Sequence, residues 1–400
     1  MKIGIYNLHM QAKGGGEKRT LVLADHLSRG HRVWVFVNEP IVVGLWESYF
    51  DVDLSRVNFV VMPGDGGKSS RSRHTKREVL SKPLRHFRAI KSFRLDLFIN
   101  NSHCSNLPCP APRGIYMCMF PYLHPISPKT VFRSTYRPFV NRLEKHLMGY
   151  RLIDFVNSYA AVTANSQFTA GWIKQVWGVC PDVVYSVCDD MGPPGRKQKV
   201  ILNVGRFFAN GADTLHKRQD VLVSVFKRLR DVQRDTWQLH FAGSVAQDAK
   251  TRTLLEQLKN DVAGLPIHFH FDADLDRLRN LYRGASIYWH ATGYGSTAHN
   301  DPSAQEHFGM TTVEAMSAGA VPIVINSGGQ KEIVTQGRNG FLWDELDELS
   351  RETTQLVTDA NLLDRMSKEA VSASSKFGRA VFIANMDRVI GRVLEQDATT

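Results

Sequence analysis

Several familiar signatures are missing from this chain, and each absence removes a class of protein. The five cysteines, Cys104, Cys109, Cys118, Cys180 and Cys188, make no Cys-x-x-Cys pair and no zinc spacing. Neither a disulfide scaffold nor a zinc module is therefore expected, and an odd, scattered set fits reduced thiols in a reducing compartment. No apolar run approaches the roughly 20 residues that a membrane-spanning helix needs. There is no G-x-S-x-G elbow and no nucleophile–base arrangement. The glycine turn near the start lacks the G-x-G-x-x-G pattern of a dinucleotide fingerprint. The opening residues, Met1-Lys2-Ile3-Gly4-Ile5-Tyr6, read as a buried strand and not as a signal peptide, so a cytoplasmic location is the expectation.

Acids are also scarce in the first half. Residues 1–190 hold 25 Lys+Arg against 14 Asp+Glu, whereas residues 191–400 hold 25 of each, so the whole net charge of +11 lies in the first half. Ten basic residues fall between Lys68 and Arg94 against one acid, Glu78. Leu80, Leu84, Phe87, Ile90 and Phe93 recur among them at roughly helical spacing. A basic amphipathic segment of this kind suits an anionic membrane surface or another polyanion, and equally suits a solvated helix whose apolar side packs on its own domain. Nucleic acid is not expected, because no ordered series of stacking aromatics accompanies the charge.

What is present is alternation. Strands are expected at 2–7, 32–37, 57–62, 95–100, 114–120 and 160–163, with a glycine turn, Gly14-Gly15-Gly16, leading into a helix that runs to about Arg29. Ser166 or Asn165 is placed to cap a further helix. The stretch 189–198, Asp-Asp-Met-Gly-Pro-Pro-Gly-Arg-Lys-Gln, reads as a linker. A second series follows, with strands at 200–204, 237–242, 267–271, 286–290 and 321–325, and helix from about 345 onward. Four hundred residues suffice for two cores. The pattern predicts two doubly wound α/β domains, 1–190 and from 199 onward, with a ligand at the carboxyl ends of the strands in the cleft between them.

The chemistry concentrates in Glu306-His307-Phe308-Gly309-Met310-Thr311-Thr312-Val313-Glu314. The pattern predicts a loop, a short helix ending at Gly319, and a buried strand. Glu306 then precedes the helix and Glu314 lies inside it. The first backbone N–H groups of the helix, at Gly309, Met310 and Thr311, favour an anion. Carboxylates beside such a helix start suit a ligand that carries both hydroxyls and phosphate. Arg206, after a strand and a glycine, and Lys217, where the next helix begins, would supply cations for a diphosphate. Asp51-Val52-Asp53 and Asp272-Ala273-Asp274 look like metal-binding Asp-x-Asp pairs, but the second suits an N-cap and neither has a third ligand at the right spacing, so no metal is expected. Fifteen histidines make any one of them weak evidence. His103 and His124 follow strand ends in the first half, where a structural histidine is the ordinary reading.

These residues resemble glycosyltransferase family 4, the retaining, nucleotide-sugar-dependent enzymes of GT-B fold. The likeness lies in Gly205-Arg206, Lys217, Glu306-His307-Phe308-Gly309 through Glu314-Ala315-Met316, Ser327-Gly328-Gly329 and Asn339-Gly340-Phe341. In the first half it lies in Gly14-Gly15-Gly16-Glu17 and Ala164-Asn165-Ser166-Gln167-Phe168-Thr169. The resemblance implies two Rossmann-like domains facing across a cleft. The acceptor-side domain would span 1–190, the nucleotide-sugar-binding domain 199–375, and a final helix, 376–400, would cross back. Arg206 and Lys217 would hold the donor's diphosphate, Glu306 would sit at the donor sugar, and Glu314 would bond the ribose. Phe308, Gly309, Met310 and Thr311 would offer backbone amides, and Gly14 to Gly16 would line the opposite wall. The family commonly places a histidine after a first-domain strand. Here Met119 or Phe120 falls at that position, and His124, a few residues on, is the catalytic candidate. The loop from Phe207 to His216 is longer than usual.

The function implied is transfer of a hexose from a nucleoside diphosphate, GDP-mannose ahead of UDP-sugars, to a sugar or lipid-linked glycan. The anomeric configuration would be retained, by a front-face route, with no cofactor beyond the donor itself. Peripheral attachment at the inner membrane face through 68–94 would follow. Two other readings stay open: an epimerase or phosphorylase-like enzyme of the same fold, and a non-catalytic module that docks on an anionic surface.

Overall fold

The computed structural model describes residues 1–10, 14–64, 76–121, 137–150, 152–210, 214–296 and 300–395. The chain divides into two units, one made of Met1–Ser186 with Phe382–Thr400 and the other of Val187–Val381.

The first unit is built on a parallel sheet of seven strands: β1 (Lys2–Tyr6), β2 (Arg32–Val37), β3 (Val57–Val61), β4 (Leu97–Asn100), β5 (Arg113–Cys118), β6 (Ala161–Ala164) and β7 (Asp182–Val183). Their order in space is β3-β2-β1-β4-β5-β6-β7. Every pairing is parallel. The central strands are apolar on both faces, as a sheet covered on both sides requires, with Ile3, Ile5, Val33, Val35, Phe98, Ile99 and Ile115 fully buried. Helix Gly15–Ser28 connects β1 to β2. Helix Gln167–Trp177 is capped by Ser166, whose Oγ accepts from the Thr169 N–H at 3.0 Å. The final helix, Arg379–Glu395, returns to this unit: Arg392 pairs with Asp182, and His26 Nε2 lies 2.9 Å from Asp387.

The basic segment forms helix Lys76–Lys91; its residues 68–75 lie outside the described residues. Phe87 and Ile90 are buried in the domain core and Leu84 packs against it, while Arg85, Arg88 and Lys91 face solvent. The amphipathic pattern in this part is thus used internally, and what it offers outward is charge. Among the described residues, no helix is long and apolar enough to cross a membrane.

The second unit carries a parallel sheet of β8 (Gln198–Val204), β11 (Gln238–Gly243), β12 (Ile267–Phe271), β13 (Ala285–His290), β14 (Val321–Ile325) and β15 (Phe341–Trp343). Their order in space is β12-β11-β8-β13-β14-β15. A two-stranded antiparallel pair, β9 (Ala209–Asn210) with β10 (Thr214–Leu215), stands apart from it. Helix starts follow side-chain capping. Asp248 Oδ1 accepts from the Thr251 N–H at 3.0 Å, Asp274 Oδ1 from the Arg277 N–H at 2.8 Å and Asp359 Oδ1 from the Leu362 N–H at 2.9 Å. Asp274 of the Asp-x-Asp pair is therefore an N-cap. The stretch 189–198, which its composition marks as a linker, is tied into this unit. The Met191 N–H donates to Ser317 Oγ at 3.1 Å, and Lys197 Nζ donates to the carbonyls of Ala285 and Ala318 at 2.7 and 2.6 Å.

Helix Leu346–Thr358 carries an acid into this core. Glu352 is buried, accepts from Gln336 Nε2 at 3.2 Å through Oε1, and keeps Oε2 without a partner among the described residues. Burial pushes its carboxyl up to about 7 from an ordinary 4.5. Between those values the folded chain holds a proton that the unfolded chain has released, so stability falls as pH rises from about 4.5 to about 7. Melting temperature against pH is expected to show that decline in the parent protein and a flatter profile in Glu352→Gln. Parallel profiles would show that Glu352 does not carry the effect.

Candidate functional site

In a doubly wound sheet the ligand position is set where the strand order reverses. In the second unit that point lies between β8 and β13. Gly205 and Arg206 leave the carboxyl end of β8, and His290 closes β13.

Lys217 reaches this point by way of the β9–β10 hairpin. On either side of residues 211–213 the two strands pair antiparallel, the His216 N–H donates to the Phe208 carbonyl at 2.9 Å, and the two rings stack at 4.6 Å. Lys217 is thereby returned over the strand end it left: a Cβ added to Gly205 would lie 3.1 Å from Lys217 Cγ. Its Nζ donates to Glu306 Oε2 at 2.6 Å. The same oxygen lies 3.2 Å from His290 Nε2, and Thr292 Oγ1 lies 3.1 Å from that nitrogen. Burial would raise the Glu306 carboxyl, but the Lys217 ammonium and the His290 ring outweigh it and hold it well below the usual carboxylate range. Glu306 is therefore an anion that accepts hydrogen bonds, not an acid that gives up a proton. Burial lowers the His290 ring below its ordinary value, so it stays neutral at neutral pH. Arg206 is exposed, with its guanidinium 5.3 Å from the centre of the Phe208 ring. Arg218, next to Lys217, is occupied by Asp220 at 3.2 Å and by the Tyr294 carbonyl.

Helix Met310–Ser317 begins at Gly309. Its first amides, at Met310 and Thr311, have no intrahelical acceptor by the geometry of a helix start. Gly309 has φ +117°, a backbone that side-chain-bearing residues rarely adopt, and an added Cβ would lie 2.8 Å from Gln330 Nε2. The preceding loop sits directly on the Gly328–Gly329 turn: the Gly329 N–H donates to the Glu306 carbonyl at 2.8 Å, and a Cβ on Gly328 would fall 2.1 Å from that oxygen. Phe308 is buried edge-on against Phe377, with centroids 5.4 Å apart. Thr311 Oγ1 accepts from the Tyr288 hydroxyl at 2.7 Å. Glu314 is buried and accepts from the Tyr282 hydroxyl at 3.1 Å. Gly309→Ala is expected to destabilise the protein by about 1–3 kcal/mol through its backbone strain. A melting temperature lowered by several degrees checks this; an unchanged one would show that the turn tolerates a side chain.

Arg206, Lys217, Glu306, Phe308, Gly309, Met310, Thr311 and Glu314 thus all belong to the second unit, and Lys217 with Glu306 forms its charged centre. Gly14, Gly15 and Gly16 belong to the first unit, at the start of helix Gly15–Ser28 after β1. There the Gly16 carbonyl accepts from Asn7 Nδ2 at 3.3 Å and Asn101 Nδ2 at 2.8 Å. A Cβ on Gly16 would lie 3.3 Å from the Met119 sulfur, so one of the two residues found where the family carries a histidine packs against the glycine turn. His124 lies outside the described residues. His290 is the residue that sequence reasoning missed. Its one signal is an imidazole closing the run Ile287-Tyr288-Trp289.

The chain is similar in sequence and in fold to known proteins. The family model for glycosyl transferases group 1 matches residues 192–372. HepE of Anabaena, solved with UDP and glucose, superposes with a TM-score of 0.66 over 98% of this chain and 99% of that one, at 16% identity. The fold is GT-B. In sequence, the Dictyostelium discoideum GDP-Man:Man(3)GlcNAc(2)-PP-Dol alpha-1,2-mannosyltransferase is 26% identical over 265 residues, which cover 62% of this chain and 50% of that protein. The Neurospora crassa alpha-1,3/1,6-mannosyltransferase alg-2 is 23% identical over 438 residues, covering 96% of this chain and 89% of that protein. Among relatives such as the Dictyostelium protein, the chain spans about half of their length. The matched segment of the GT-B fold contains every second-unit residue of the site.

Proposed function

We propose that this protein transfers a hexosyl group from a nucleoside diphosphate to a sugar or lipid-linked glycan, with retention at the anomeric carbon, as a member of glycosyltransferase family 4. The observation that carries the reading is the ionised Glu306 beside Lys217 and next to the amide-rich helix start at Gly309, at the switch point of a Rossmann-like sheet. An anion that accepts hydroxyls and a set of donors that accepts phosphate are the two halves of a sugar nucleotide.

In this reading Arg206, Lys217 and the Met310 and Thr311 amides hold the diphosphate and stabilise its growing charge. Glu306 binds the sugar hydroxyls and Glu314 the ribose. The acceptor oxygen bonds to the anomeric carbon on the face from which the phosphate oxygen departs, and the acceptor's proton passes to that departing phosphate. Gly14 to Gly16 and His124 belong to the acceptor-side domain. GDP-mannose is favoured as donor because relatives of the chain bear names that include it, with UDP-sugars next. The exposed Arg85, Arg88 and Lys91 are proposed to face an anionic membrane surface on which a lipid-linked acceptor would lie.

The test is a thermal-shift panel of GDP-mannose, UDP-glucose and ADP-glucose, followed by product analysis with the stabilising donor. One donor is expected to raise the melting temperature, since a ligand of the folded state stabilises it. A panel that shifts nothing, or a nucleotide lost with no sugar transferred, would end the reading.

A further inference from the structure

We propose that His290 is the positioning residue for Glu306: its ring engages one carboxylate oxygen, Oε2, and so presents the other, Oε1, to the ligand. The identity of that ligand rests on the transfer reading above; the hydrogen bond itself rests on geometry.

His290 ends β13, a strand buried along its whole length, and is itself 2% exposed. A polar ring in such a place needs a partner. Its Nδ1 is sealed from solvent and has none among the described residues. A doubly protonated ring would bury an N–H with no acceptor, so the ring carries one proton. Glu306, being ionised, can only accept, and its Oε2 lies 3.2 Å from Nε2. The proton therefore sits on Nε2 and is donated to Glu306, with Thr292 Oγ1 3.1 Å from the same nitrogen.

Glu306 Oε2 thus receives two donors from separate elements, Nε2 from the end of a strand and Lys217 Nζ from the start of a helix. Glu306 Oε1 takes no hydrogen bond among the described residues, and the Glu306 side chain keeps 18% of its surface exposed. A carboxylate on a long side chain would otherwise rotate freely about its last bond. The two donors are not equivalent. A diphosphate that draws the Lys217 ammonium away leaves His290, fixed in the sheet, as the donor that still holds Oε2. The second donor is what keeps the carboxylate aimed while the first is shared with the ligand.

Three substitutions test this. His290→Phe keeps a ring and removes the donor; His290→Gln restores an amide donor at similar reach; His290→Asn has the amide but is too short. With the donor that stabilises the parent protein, His290→Phe is expected to lower kcat about a hundredfold, the scale of a misplaced catalytic contact. Its nucleoside diphosphate Kd, measured by calorimetry, is expected to stay within about twofold. His290→Gln is expected to recover at least about tenfold of the loss. Undiminished turnover in His290→Phe, or a glutamine variant as impaired as the phenylalanine one, would overturn the proposal. Should the phenylalanine variant fail to fold, glutamine against asparagine reads the same donor, and equal rates would overturn it. Nitrogen NMR of the parent protein, with the His290 signal assigned by its loss in His290→Gln, needs no activity at all. An Nε2–H tautomer at neutral pH is expected, and an Nδ1–H tautomer would overturn the hydrogen bond even if transfer were established. Conversely, a parent protein with the expected tautomer that binds no nucleoside diphosphate would overturn the transfer reading, and with it the ligand-facing role of Oε1.

Discussion

Glu306→Ala is expected to abolish hexosyl transfer, by about a thousandfold or more, while the protein still folds. The loss follows from the site's geometry. The substitution removes the carboxylate that Lys217 and His290 share. It also leaves the buried Nε2–H of His290 without its charged acceptor, which costs about 1–3 kcal/mol. Lower activity should therefore come with a lower melting temperature and an unaltered circular dichroism spectrum. Glu306→Gln separates the two effects. An amide fits the space, but its nitrogen opposes donors, so activity should fall nearly as far with a smaller loss of stability. Turnover at the parent rate in either variant would remove Glu306 from the chemistry.

Lys217→Ala is expected to weaken nucleoside diphosphate binding by about tenfold to a hundredfold, the worth of a charge-assisted hydrogen bond. It has a second consequence. The ammonium is the first of the groups opposing the effect of burial on the Glu306 carboxyl. Without it the folded-state pKa of that carboxyl rises, and protonation sets in at a higher pH. Residual turnover should then decline on acidification sooner than in the parent enzyme, because only the ionised form accepts from both ligand and His290. Calorimetry of nucleoside diphosphate binding and a pH–rate profile read the two effects separately. An unchanged dissociation constant would shift the phosphate contact to Arg206, because Arg218 is already held by Asp220 and the Tyr294 carbonyl.

Much of this site could be read from residue order. Gly309 and Gly319 bracket helix Met310–Ser317 in sequence as they do in space, both with positive φ. Ser166 caps where a serine before a helix should. Local chemistry sets these features, so local sequence reports them. The rest depends on contacts across many residues. Lys217 reaches Glu306 because β9 and β10 pair and Phe208 stacks on His216, and no local pattern announces those contacts. Glu306 and Glu314 read as a pair, yet they serve different neighbours, Lys217 and His290 for one and Tyr282 for the other. The stretch 189–198 has the composition of a free linker, but Lys197 anchors it to two carbonyls, one of them just after a helix more than a hundred residues on. His290 was hidden for the plainest reason: in a chain with 15 histidines, residue type alone marks none of them out.

Helix Arg379–Glu395 belongs with the first sheet although the chain reaches it last. Its buried residues, Phe382, Met386, Val389, Ile390 and Val393, are missing from any fragment that ends near residue 186. Recombinant production of the amino-terminal half alone should therefore yield aggregates, and supplying 382–400 as a fused tail should restore soluble material.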